Sequence, residues 1–231
     1  MIPFGGCSSD MKNTNNAILV VDYGMGNLRS VSKALEKAGA KVKISSAPKD
    51  ILRADKLVLP GVGAFKDAMA ELKSRRLIKP IKKFVETGKP FLGLCLGLQL
   101  IFSKSEEGRS PSKGQGPAAA GLDLIKGKIV RFRSKKLKIP HMGWNRLKVK
   151  SKVLRQQGKC PLLKGIPEGT YVYFVHSYYA VPADNKCVAA WTDYGVKFPS
   201  VICSKNIYAT QFHPEKSQRL GLEILRNFVK L

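Results

Sequence analysis

From Ala17 onward, short apolar runs alternate with stretches in which apolar residues recur every three or four positions. AILVVDYG (17–24) predicts a buried strand ending in a turn. NLRSVSKALEKAG (27–39) predicts a helix with Leu28, Val31 and Leu35 on its inner face and Gly39 as its stop. KVKIS is a second strand, and ADKLVLPGVG a third that ends in a glycine loop. AFKDAMAELKSRR and LIKPIKKFVETGK are helical, the latter ending near Gly88. KPFLGL is a further strand, with LGLQLIFSKS as the helix after it. Such alternation implies parallel strands with helices on both faces, so function is expected at the loops leaving the C-terminal ends of the strands. Three of those loops, DYGMGN, LPGVGA and GLCLGL, are rich in glycine.

The texture then changes. EEGRSPSKGQGPAAAG (106–121) reads as a long mobile loop. GKIVRF, WNRLKV, YVYFVHSYYAV, CVAAWTDYG, VICSKN and IYATQFHP read as successive short strands. A closing helix shows Leu220, Ile224, Leu225 and Phe228 on one face. The fold class expected is α/β: an open, mostly parallel sheet flanked by helices, with an antiparallel extension. Residues 17–231 form one domain in this reading, after a polar tail over 1–16 in which Met11 is a second candidate start. The tail has neither the basic start nor the apolar centre of a signal peptide, and no apolar run approaches the ~20 residues that span a bilayer.

Composition narrows the function. Five cysteines (Cys7, Cys95, Cys160, Cys187, Cys203) without paired spacing argue against a disulfide framework or zinc site and suit a reducing cytoplasm. Lys and Arg number 41 against 16 Asp and Glu, a net charge of +25. The basic residues are spread over the whole chain, in KSRR, KKF, RFRSKK and KVKSK, with no interleaved aromatics and no nucleic-acid motif. A generally basic surface is therefore preferred to a nucleic-acid partner. Gly24 and Gly26 imitate a dinucleotide loop, but Arg29 occupies the third glycine's place, so no cofactor is expected.

The candidate chemistry lies in FLGLCLGLQL, where Cys95 sits between Gly93 and Gly97. On a strand-to-helix turn, flanking glycines permit the sharp geometry that lifts a nucleophile clear of a sheet. A helix N-terminus there favours thiolate, and its free N–H groups can hold an oxyanion. A nucleophilic cysteine needs a base, and the base an orienting partner. Among only three histidines, His213 is followed two residues later by Glu215, on the same side of an extended segment. LPGVG can turn a backbone N–H of Gly63 toward the nucleophile, joining that of Leu96 in an oxyanion hole.

GxCxGxQ, a late HPE and an upstream PG-rich loop, in this order, resemble the signatures of the class I (triad) glutamine amidotransferases. These enzymes hydrolyse glutamine through a thioester and pass ammonia to a synthase. DYGMGNLRSV, LPGVGAF, LGLCLGLQL, PHMGWN, YFVHSYYA and QFHPEKS are further similar to those members that serve a barrel-shaped cyclase in histidine biosynthesis. The resemblance implies Cys95, His213 and Glu215 as the triad, and Gln99, Glu107, Ser177 and Tyr178 as residues holding glutamine, with Gly61 near its carbonyl. It implies Met25, Asn27, Trp144, Asn145, Tyr173 and Lys216 at the interface with a cyclase in a heterodimer. His176 is expected to be structural or a pocket wall. The alternatives are a relative feeding a sugar-modifying synthase in surface-polysaccharide biosynthesis, a stand-alone cysteine hydrolase, and an idle scaffold that binds nucleic acid.

Overall fold

The computed structural model describes residues 17–107, 118–134, 137–149 and 160–231. The expected tail over 1–16, the centre of the loop expected over 106–121 and part of KVKSK lie outside them.

The central strands of the apolar N-terminal half are buried on both faces, whereas the edge strand Lys41–Ser45 is largely exposed, and side chains part by the period of two. In β1 (Ala17–Val21), Ile18 and Val20 join Val31 and Leu35 of α1 (Leu28–Lys37) and Ile224, Leu225 and Phe228 of the closing helix α6 (Gln218–Val229). Leu19 and Val21 face the other way, against Phe65, Ala68 and Leu72 of α3 (Phe65–Ser74) and Ile81 and Phe84 of α4 (Ile78–Glu86). Fully buried rings such as Phe65, Phe84 and Phe228 each stabilise the fold by roughly 1.5–3 kcal/mol relative to exposure.

β2 (Lys41–Ser45), β1, β3 (Lys56–Leu59), β4 (Phe91–Leu94) and β14 (Ile207–Thr210) run parallel, in that spatial order. β13 (Lys197–Ser204), β12 (Val188–Asp193) and β9 (Lys148–Val149) extend the sheet antiparallel, giving eight strands. The expected class and its antiparallel extension are both present. Asn27 caps α1 by accepting from Ser30 N–H at 3.3 Å, and Gly39 follows its end at φ 99°. The buried Lys56 amino group donates to the Val229 carbonyl, closing the end of α6. No helix among the described residues is long and apolar enough to cross a membrane.

Three features depart from expectation. LGLQLIFSKS is not one helix: α5 spans only Leu96–Leu100, and β5 (Phe102–Ser105) follows. The Leu100 and Ile101 carbonyls, which a longer helix would use, accept instead from the N–H groups of Leu122, Leu124 and Ile125. The strand-rich half also divides among sheets. β5 joins β6 (Ala119–Ala120), β7 (Ile125–Arg131) and β11 (Tyr178–Pro182) in a four-stranded sheet, while β8 (His141–Arg146) pairs with β10 (Tyr171–His176). YVYFVHSYYAV therefore breaks at Ser177, between strands of two different sheets. Finally, α2 (Pro48–Arg53) was not expected, although Pro48 at its start, Asp50 in its first turn and Arg53 in its last are ordinary helix signals.

Candidate active site

Cys95 occupies the turn between β4 and α5 with φ 52° and ψ −103°, a backbone region that costs a non-glycine residue ~1–3 kcal/mol. The flanking glycines make that turn possible by close approach. A Cβ on Gly97 would lie 2.0 Å from the Leu59 carbonyl oxygen, and one on Gly93 would lie 2.7 Å from the Gly97 oxygen. The Cys95 N–H donates to Thr210 O at the end of β14 (2.8 Å), tying the elbow to the strand that leads toward His213.

His213 Nδ1 lies 2.8 Å from Glu215 Oε1, and both side chains are buried. A carboxylate only accepts here, so Nδ1 carries the proton and Nε2 is left as the basic nitrogen. The pair meets through a 3-10 turn over Pro214–Lys216, not through the extended segment expected from the spacing. His213 N–H donates to Tyr173 O at 2.9 Å, and Ser217 Oγ donates to the His213 carbonyl at 2.6 Å, so the backbone of the base is held from two sides. Nε2 is buried without a hydrogen bond. Burial pulls the imidazole pKa down, but Cys95 and then Glu215 outweigh it and raise it to about 10. The site thus holds a proton firmly on His213 once Nε2 has received it.

Cys95 and His213 open onto one cavity of about 290 Å³, at the small end of small-molecule sites. Of the residues expected to bind substrate or oxyanion, Gly63, Leu96, Gln99, Glu107, Ser177 and Tyr178 line it. Val62, Pro140, Val175 and His176 complete the wall. Gly61 lies behind it, packed so closely that a Cβ would meet Tyr23 Oη at 2.7 Å and Leu96 Cβ at 2.8 Å. The Leu96 N–H donates to Gly61 O at a long 3.3 Å, and Tyr23 Oη donates to Pro60 O at 2.8 Å. Glu107 accepts from Phe65 N–H at the start of α3, and burial pushes its carboxyl pKa up. Gln99 Nε2 donates to Tyr178 O at 3.1 Å and reaches Gln211 Oε1 at 3.5 Å. Gln211, fully buried with Nε2 4.0 Å from Cys95 Sγ, escaped the sequence reading. A polar residue between the buried end of β14 and Phe212 was its only signal.

The residues expected at a partner interface separate into groups. Trp144 and Tyr173 pair across β8 and β10 with their rings 6.0 Å apart, and Lys216 Nζ lies 5.9 Å from the Tyr173 ring centre. Met142 (62% exposed), Trp144 (46%) and Tyr171 (49%) leave this face apolar and open. Met25 lies beside Gly63, where a Cβ would meet its Cε at 2.7 Å. Asn27 serves as the α1 cap. Asn145 points to the other side of β8, where Nδ2 lies 3.2 Å from His141 Nε2 and 2.9 Å from Asp193 O.

Residues 19–231 match the family described as glutamine amidotransferase class-I. The chain belongs to that family. Two relatives described as imidazole glycerol phosphate synthase subunit HisH show how near this amidotransferase stands to them. That of Methanosarcina mazei is 51% identical over 216 residues (93% of this chain, 98% of the relative). That of Syntrophotalea carbinolica is 48% identical over 217 residues (91% and 98%). Among solved structures, PurLQS from Thermotoga maritima superposes with a TM-score of 0.69 at 18% identity, covering 93% of this chain and 97% of that one. The glutaminase domain of Trypanosoma brucei CTPS gives 0.62 at 16% (93% and 94%). At such identities these two speak for the amidotransferase fold alone.

Proposed function

We propose that this amidotransferase is the glutaminase subunit of an imidazole glycerol phosphate synthase, delivering ammonia to a cyclase partner in histidine biosynthesis. The observation that carries the chemistry is the meeting of Cys95 and the His213–Glu215 pair at one closed elbow and cavity. The near-half identity to HisH relatives favours this pathway over a sugar-modifying synthase.

In the reaction, Cys95 Sγ attacks the side-chain amide carbon of glutamine as its proton passes to His213 Nε2. The carbonyl oxygen, now anionic, is held by the N–H groups of Gly63 and Leu96. The Leu96 donor must leave Gly61 O to reach it, so the Pro60–Gly63 loop and α5 have to shift relative to one another. His213 then gives its proton to the departing nitrogen, the C–N bond breaks and ammonia leaves. Water, deprotonated by His213, attacks the thioester, releasing glutamate and restoring the thiol. Glu215 holds the imidazole and balances its charge throughout. Gln99, Glu107, Ser177 and Tyr178 supply polar groups for the amino and carboxylate ends of glutamine. The open face of Trp144, Tyr173 and Lys216, with Met25, receives the cyclase, and Asn27 and Asn145 support the two elements that carry it.

Glutamate release is to be measured for the purified chain alone, then with the cyclase subunit and its ribonucleotide ligand, with Cys95→Ala as control. Stimulation by the cyclase that vanishes in the variant supports the reading. Cys95-dependent activity indifferent to the cyclase would redirect it to another synthase.

A further inference from the structure

His141 and His176 take no part in the steps above, yet they are buried next to the cavity. His176 Nδ1 lies 2.8 Å from the Tyr178 carbonyl oxygen. A carbonyl can only accept, so Nδ1 carries the hydrogen. His141 Nδ1 lies 3.1 Å from His176 Nε2, and Asn145 Nδ2 lies 3.2 Å from His141 Nε2. Burial keeps both rings neutral, lowering the pKa of His141 to about 4 and that of His176 to about 3. A neutral ring has one N–H, which fixes every remaining role: Asn145 donates to His141, His141 donates to His176, and His176 donates to Tyr178 O.

The surroundings hold this line in place. His141 stacks on Phe174 (4.9 Å) and Tyr194 (4.0 Å), and His176 packs against Phe198 (5.1 Å) and Phe132 (5.3 Å). The bond ends at a place that needs support. β10 and β11 belong to different sheets and part at Ser177, where Phe132 N–H donates to Ser177 O at 3.0 Å and Tyr178 begins the pairing with Arg131 of β7. Beyond these backbone bonds, two side chains grip the Tyr178 carbonyl: His176 through Nδ1 and, from the elbow side, Gln99 through Nε2 at 3.1 Å.

We propose that Asn145, His141 and His176 form a positioning relay whose directed hydrogen bonds hold the Ser177–Tyr178 edge of the pocket in the shape that binds glutamine. The inference rests on the glutamine reading above. It makes His176 a positioning residue that acts through Tyr178, with no contact to the reacting atoms.

The test is glutamine binding by calorimetry to the full chain carrying Cys95→Ala, with and without the cyclase. An asparagine places its amide N–H where the Nδ1–H of histidine sits, whereas a glutamine places it near Nε2. His176→Asn and His141→Asn are therefore expected to bind glutamine within about threefold of the Cys95→Ala parent. His176→Gln and His141→Gln, of similar bulk, are expected to bind about tenfold more weakly, the loss of roughly one hydrogen bond. Circular dichroism on each variant checks that the fold is kept. Equal affinity of the Asn and Gln variants at both positions overturns the relay while leaving the glutaminase intact. A Cys95→Ala parent that binds no glutamine in either state overturns the glutamine reading and the relay with it.

Discussion

Replacing Gly97 with alanine sets two effects of opposite sign against each other. Gly97 is the second residue of α5, where alanine is preferred to glycine by about 1 kcal/mol, largely through the entropy of the unfolded chain. Propensity alone therefore makes Gly97→Ala stabilising. The added Cβ, however, would sit 2.0 Å from the Leu59 oxygen and 3.1 Å from its carbon, where ordinary contact begins at 3.4 Å. Both obstacles are backbone, in β3 at the centre of the parallel sheet, and no side chain can rotate away. The other side is fixed too, since Cys95 N–H is bonded to Thr210 O at 2.8 Å. Relief takes at least ~1 Å of backbone movement, and overpacking of this kind costs ~1–3 kcal/mol or more. A net loss of about 2 kcal/mol is expected, which lowers Tm by roughly 4–8 °C in a domain of this size. The same shift moves Cys95, and misplacing a nucleophile by ~1 Å costs about 100-fold in rate. Urea unfolding followed by Trp fluorescence and glutamate release in the cyclase complex measure the two losses. Gly165→Ala is the control, because nothing lies within 4 Å of its Cβ position. Its φ of 73° costs only ~1–2 kcal/mol, with activity unchanged. A Gly97→Ala chain as stable and as active as the parent would refute the steric account.

Three further outcomes follow from the site. Because Cys95 and Glu215 hold the His213 pKa up, Cys95→Ala should let it fall, read as the imidazole titration by NMR; an unmoved titration would deny that the two face each other. Folded His213 titrates above its unfolded value of 6.5, so its protonated form adds stability that is complete below pH 6.5 and is lost as pH rises through about 10. Glu215→Gln should shrink that pH-dependent part and cut glutamine turnover by ~10²-fold or more, both measurable against pH on the purified complex. Trp144→Ala should weaken cyclase binding by ~1–3 kcal/mol in a titration while leaving urea unfolding nearly unchanged, since the ring is 46% exposed.

How much of this could be read beforehand depends on whether the signal was local. The parallel core was legible because its central strands are nearly continuous apolar runs and α1 keeps one apolar stripe, as in AILVV and Val31/Leu35. The elbow was legible because Gly93 and Gly97 make no sense in a buried strand or helix unless backbones meet there. The sorting of β5 to β11 into separate sheets was not, because strand partners are chosen by packing between distant segments. The end of α5 was hidden for the same reason, its last carbonyls being claimed by residues 122–125. Asn145 shows a signal left unused. In β8 the period of two puts His141 and Asn145 on one side and Met142 and Trp144 on the other, so Asn145 could not share the outward face of Trp144.

The charge bears on stability in a way that surface pairs alone would mislead. Many acidic residues sit against a cation, among them Glu36 with Lys33, Asp50 with Lys43, Glu71 with Arg75 and Glu223 with Arg226. Taken by themselves, such exposed pairs are weakened by salt, so added salt should destabilise the fold. Yet with 41 Lys and Arg against 16 Asp and Glu, pairing every acid would still leave a charge of +25 on the chain. Exposed pairs are individually weak, whereas the repulsion of the surplus acts across the whole molecule and is relieved on unfolding. Raising NaCl from about 10 mM to about 150 mM shortens the screening length from ~30 Å to ~8 Å, less than the distance across the domain. The repulsive part should fall most, and Tm by calorimetry should rise by about 2 °C or more, equivalent to roughly 0.5–1 kcal/mol. A Tm that falls over this range would mean that the ion pairs outweigh the surplus, and that the positive charge is already balanced by where it sits.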